Sequence, residues 1–96
     1  VSRFHATRMF MGAQAVGRHG VMQSDVLLVQ AESRLLSQAD EIVLMVDSGK
    51  FAASAAHVLC ALEDVAILVT DNGLGDAAAQ YVERAGVRLI VAPVDR

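Results

Sequence analysis

From Ile42 to Val46 the chain runs Ile-Val-Leu-Met-Val without a polar break. A short apolar run with no alternation suits a strand covered on both faces, as in a parallel sheet. Val65 to Thr70 (VAILVT) and Val87 to Val91 (VRLIV) repeat the pattern, and Arg8 to Met11 (RMFM) is a shorter version. Between these runs the spacing turns helical. Ser24 stands as an N-cap with Asp25 in the first turn, which predicts a helix from about Asp25 to Ala39. Ala52 to Leu62 is rich in alanine and free of Gly and Pro, and reads as a second helix. Asp76 opens a third helix through Ala85, with Gly86 where a left-handed residue often follows. Gly12 to Gly20 reads as turn and loop. Val1 to Arg8 is polar and leaves open the tail of a preceding helix.

The order β-α-β-α-β-α-β predicts an α/β fold: a parallel sheet of about four strands with three crossover helices. Such sheets hold ligands just past the carboxyl ends of their strands. Three turns leave strand ends: Gly12-Ala13-Gln14, Asp47-Ser48-Gly49-Lys50 and Asp71-Asn72-Gly73. All three are expected at one edge of the sheet.

Composition adds a constraint. The 96 residues allow one small domain, yet 54% are hydrophobic and only 4% aromatic. The core must be aliphatic, and a small domain leaves much of its surface wet. Part of the apolar surface is therefore expected to meet a partner chain or residues outside this sequence. Together with two bare sheet edges, this points to a truncated domain. The chain opens with Val1, as a processed or excised piece would. Its longest apolar runs are about five to six residues, against roughly 18 for a bilayer span. Cys60 has no second cysteine to pair with, which fits an intracellular, cytoplasmic protein. The net charge of −3 is scattered, so no basic stripe offers itself to nucleic-acid phosphates.

Candidate chemistry collects at the strand ends. Lys50 is the only lysine, and it lies where a ligand would be. Asp, Ser and Gly also dominate turns for backbone reasons alone, so a solvated turn stands beside the ligand reading. On the first helix, Leu28, Leu35, Leu36 and Ala39 form a stripe with Glu32 in its middle. A carboxylate there needs a partner. It is either an edge glutamate paired with an arginine or a ligand-facing group. Gly12 lets backbone approach a ligand closely. Gly49-Lys50 is not a phosphate-binding Walker loop, since Leu44 and Phe51 stand where glycine and Ser or Thr are required. His57 and Cys60, on one predicted helix face, are too few ligands for zinc. No metal and no cofactor are expected.

The segments FMGAQAV, GRHG, LLVQAESRLLSQADEIVLMVDSGKF, ILVTDNG and AGVRLIV, in that order, resemble the carboxyl-terminal half of the effector domain of DeoR-type bacterial transcription regulators. The hallmark there is Asp-Ser-Ser-Lys-Phe, and Gly49 replaces its second Ser. The resemblance runs from Arg8 onward. It implies a Rossmann-like fold of the isomerase and CoA-transferase type, with residues 1–96 as the carboxyl-terminal portion of the sensor. It also implies a phosphorylated-sugar effector and DNA binding through an amino-terminal helix-turn-helix outside this sequence; the homo-oligomer is expected from the aliphatic excess and the bare sheet edges.

That effector domain is in turn similar to ribose-5-phosphate isomerase. The isomerase carries a glutamate fifteen residues before the aspartate of its Asp-x-x-Lys turn; Glu32 precedes Asp47 by 47 − 32 = 15. Lys50 takes the substrate-contacting lysine position. The isomerase turn Asp-Gly-Ala-Asp-Glu is Met11-Gly12-Ala13-Gln14-Ala15 here, so all three acids are missing. The resemblance thus implies binding without catalysis, through Gly12, Ala13, Gln14, Glu32, Asp47, Ser48 and Lys50. The rivals are a fragment of a sugar-phosphate isomerase or deaminase, and a purely oligomerising module.

Overall fold

The computed structural model describes residues 6–93. Strand β1 (Ala6–Met11) leads into a hairpin, β2 (Ala15–Gly17) and β3 (Gly20–Gln23), and then helix α1 (Val26–Leu36). Strand β4 (Ala39–Met45) follows, with a 3-10 turn at Ser48–Phe51, strand β5 (His57–Cys60) and a second 3-10 turn at Leu62–Asp64. Strand β6 (Ile67–Asp71), helix α2 (Asp76–Arg84) and strand β7 (Arg88–Ala92) complete the described chain. The start of the chain, read as a possible helix tail, gives Ala6 to Arg8 to β1; residues 1–5 lie outside the described residues.

The four apolar runs form one parallel sheet in the order β1-β4-β6-β7. Leu44 and Leu68, in register on the two central strands, are fully buried. Each such side chain contributes about 1.5–3 kcal/mol on leaving water. Val82 brings α2 onto the same core, which Leu62 and Val65 join on the approach to β6. The expected parallel sheet is therefore present, and the turns at Gly12, Asp47 and Asn72 all leave carboxyl ends of its strands.

The helices and the central segment of the chain differ from the sequence pattern. There are two α-helices among the described residues, where three crossovers were expected. Ala52 to Leu62 forms no helix: His57–Cys60 is a strand, pairing antiparallel with β3 to complete a small sheet ordered β2-β3-β5. Alanine's helix preference is worth only tenths of a kcal/mol per residue and yields to tertiary context. Here the context is the edge of β3, whose backbone groups need partners, and the burial of Leu59 beside exposed Val58. The approach is close: a side chain on Gly20, where φ is +136°, would place its Cβ 2.3 Å from the Cys60 carbonyl oxygen. Only glycine fits that point. The stretch read as loop is thus a hairpin, closed by Arg18 and His19 between paired Gly17 and Gly20.

Helix α1 also differs in detail. Asp25, not Ser24, is its N-cap, accepting from the Leu27 and Leu28 amides at 2.9 and 3.3 Å. Its inward stripe is Val29, Glu32 and Leu36; Leu28 and Leu35 are exposed. The stripe is rotated, but Glu32 keeps its place within it.

Candidate functional site

The turn after β4 is built from its own sequence. Asp47 has extended backbone and its Oδ1 accepts from the Gly49 amide at 2.9 Å, opening the 3-10 turn as a cap. The Lys50 amide donates to the Asp47 carbonyl at 3.1 Å. Lys50 Nζ then folds back to Asp47 Oδ2 at 2.9 Å. The hydrogen bond from Lys50 holds the Asp47 carboxyl below its ordinary 3.8, and the Gly49 amide works in the same direction. Phe51 packs against the core, its ring 6.4 Å from that of Tyr81 on α2. Tyr81 also carries the Arg18 guanidinium of the β2–β3 hairpin, 5.5 Å from its ring centre.

Asp71, at the end of β6, reaches into this turn. Its Oδ2 accepts from the Ser48 amide at 2.9 Å and its Oδ1 from the Gly73 amide at 2.8 Å. It is only 9% exposed. Asp71 lies outside the ligand-site residues expected from the sequence. The signal for it was the placement of Asp71-Asn72-Gly73 at the neighbouring strand end.

A second polar group lies at the base of the hairpin. Gln14 Oε1 accepts from the backbone amide of Ser24 at 2.9 Å and from its hydroxyl. Next along the chain, Gln23 is buried and donates through Nε2 to Glu32 Oε1 at 3.3 Å. Among the described residues, Gln23 Oε1 is buried without a hydrogen-bond partner. Reversing the amide would turn an acceptor toward the Glu32 carboxylate, so this orientation is the favoured one. Glu32 therefore pairs with a glutamine, not the arginine of the alternative reading. Gln23 was missed because a lone glutamine at a strand end carries no motif.

The predicted residues thus fall into two groups. Asp47, Ser48 and Lys50 are joined in one turn, with Asp71 added. Gln14 and Glu32 are tied to the consecutive residues Ser24 and Gln23. Gly12 and Ala13 link the two, since Gly12 leaves β1 beside the β4 end, where an added Cβ would meet the Met45 carbonyl oxygen at 3.6 Å. Among the described residues no hydrogen bond joins Glu32 to Lys50. A groove of about 350 Å³ opens elsewhere, toward the amino end of β4, lined by Ser33, Leu36, Ile42, Leu59, Cys60 and Asp64 among others. It contains none of the predicted ligand residues. His57 and Cys60 lie on a strand, where a spacing of three puts them on opposite faces. Among the described residues no three His, Cys, Asp or Glu come together as a metal site would need. None of the described helices is long and apolar enough to cross a membrane.

Comparison with known proteins places the geometry in context. The family described as "DeoR C terminal sensor domain" matches residues 1–72, which takes in both polar groups. The uncharacterized HTH-type transcriptional regulator YulB of Bacillus subtilis (strain 168) is 26% identical over 94 residues, 97% of this chain and 36% of the relative. The HTH-type transcriptional regulator UlaR of Salmonella newport (strain SL254) is 27% identical over 82 residues, 85% of this chain and 33% of the relative. The chain spans about a third of the length of the curated relatives it matches.

Proposed function

The chain belongs to the DeoR C-terminal sensor domain family, and on that premise we propose that it senses a phosphorylated sugar on behalf of a bacterial transcription regulator. The observation that carries the reading is the Asp47–Lys50 turn, which holds the chain's single lysine past the carboxyl end of a central parallel strand. In this reading Lys50 takes the phosphate or an anionic oxygen of the ligand as a point charge. Asp47 keeps the ammonium oriented until the ligand arrives. Gln14 and Glu32 meet sugar hydroxyls, with the backbone of Gly12 and Ala13 as a wall and Ser48 beside the anion. DNA is read by a helix-turn-helix outside this sequence, in the cytoplasm, and the regulator works as a homo-oligomer.

No reaction belongs to this proposal. Met11, Gln14 and Ala15 give the turn after β1 no carboxylate, and sugar isomerisation needs positioned proton carriers. The relatives named above are transcriptional regulators, which supports the same reading.

The test is a calorimetric titration of ribose 5-phosphate, fructose 6-phosphate, glucose 6-phosphate and inorganic phosphate into the full-length protein and its Lys50→Met variant. Losing a charge-assisted hydrogen bond of about 1.5–3 kcal/mol weakens binding roughly ten- to a hundred-fold. The recovered sugars come back unconverted. Equal affinities for wild type and Lys50→Met would return Lys50 to a solvated turn residue. Sugar turnover lost in Glu32→Gln would favour the isomerase instead.

A further inference from the structure

We propose that Asp71 and Gly73 are positioning residues for Lys50, with the exit of β6 clamping the backbone of the Ser48–Phe51 turn. For its effect on ligands the proposal rests on the sensor reading; the clamp itself is tested without ligand. Three observations converge on it.

First, Asp71 divides its carboxylate between two backbone amides, Ser48 across 23 residues of chain and Gly73 two residues on. It is 9% exposed, and hydrogen bonds from amides to a carboxylate are the stronger, charge-assisted kind. Second, Gly73 is there for room. A Cβ on it would come within 2.6 Å of Ser48 Oγ and 2.9 Å of Asp71 Oδ1. Its backbone is not in the left-handed region, so space and not conformation is the argument for glycine. Third, the far end of the turn is held independently, by Phe51 against the core and Tyr81. Lys50 lies between two anchored points, so its reach to Asp47 is set by the frame as well as by its own side chain. A ligand engaging Lys50 then meets a loop already ordered, which avoids an entropy cost at binding.

The groups facing Asp47 make the clamp measurable. Lys50 on its own turn draws the Asp47 carboxyl down, most of all by its hydrogen bond, while the charge of Asp71 from β6 pushes it up. Removing the Asp71 charge alone would lower the Asp47 midpoint further. Releasing the turn would raise it, because Lys50 would leave. The two roles have opposite signs.

The experiment follows side-chain carboxyl signals by carbon NMR through an acid titration of the full-length protein. The Asp47 signal is identified by its loss in Asp47→Asn. In Asp71→Asn and in Gly73→Ala, which changes no charge, the Asp47 midpoint rises toward its ordinary value. Affinity for the sugar phosphate that wild type binds falls about tenfold in both. Adding Ser48→Ala to Gly73→Ala removes the nearer of the two crowded oxygens and brings the midpoint part of the way back down. If Asp71→Asn does not fold, the Gly73→Ala pair decides alone. A midpoint that stays or falls in folded Gly73→Ala overturns the clamp. A midpoint that rises as expected, in a wild type that binds none of the sugar phosphates, supports the clamp and overturns the ligand role of Lys50.

Discussion

Cys60 shows how far one residue's surroundings can set its chemistry. The thiol is half-buried at the end of β5, and burial, aided by the charge of Asp64, pushes it up to about 11 from 9.0. The folded chain therefore keeps a proton that the unfolded chain gives up as the pH passes about 9. Stability is unaffected by Cys60 below that point and falls above it. The thiolate is the reactive form, so a rise of about two pH units leaves roughly a hundredth as much of it at neutral pH. Alkylation by iodoacetamide at neutral pH is expected to be slower in the folded chain than in urea by about that factor. Equal rates would show that the folded structure does not shield the thiol. Gln23 makes the complementary point. Its type is ordinary at a strand end, and only the positions of Glu32 and the core around it reveal a buried acceptor left unmatched. The place of Lys50, in a turn past the carboxyl end of a parallel strand, was in contrast legible from sequence, because it follows an unbroken apolar run.

At the scale of elements, the strands of the parallel sheet and their punctuation were legible, and the short strands of the second sheet were not. Gly86 follows α2 with φ of +84°, the left-handed position predicted for it, and an added Cβ there would meet nothing within 4 Å. Its cost as alanine is thus conformational alone. Gly86→Ala is expected to lose about 1–2 kcal/mol of stability, read by urea unfolding. A neutral or stabilising outcome would mean that the chain reverses direction there in another conformation. The segment Ala52 to Leu62 is the opposite case. Its alanines promised a helix, but the strand at His57–Cys60 is fixed by β3, more than thirty residues earlier in the chain. No local pattern carries that pairing, since the unmatched backbone groups belong to another segment. Helix α1 lies between the two cases: its existence was local, while the choice of Val29, Glu32 and Leu36 as the inner face was made by the strands it packs on.

Across the whole molecule, apolar surface remains uncovered. Leu27 is 72% exposed and Phe10 59%, with Val26, Leu35, Met45 and Val58 about half exposed. Strands β1 and β7 are the edges of the parallel sheet. Bare edges and apolar faces favour association. The 96-residue chain is expected to sediment as a concentration-dependent mixture of monomer and larger species, and Leu27→Glu to shift it toward monomer. A well-folded monomer at all concentrations would count against this. The aliphatic excess was plain from composition; which faces stay bare was not. By itself the sequence determined the parallel sheet, its four apolar strands and the three turns at their carboxyl ends, because burial on both faces and turn chemistry are written in neighbouring residues. Tertiary structure decided the hairpin sheet with β5, the partner of Glu32 and the hold of Asp71 on the Ser48 amide. Each of these joins groups distant in the chain through directional hydrogen bonds, and the spacing of residues along one segment says nothing about which distant donor will meet which acceptor.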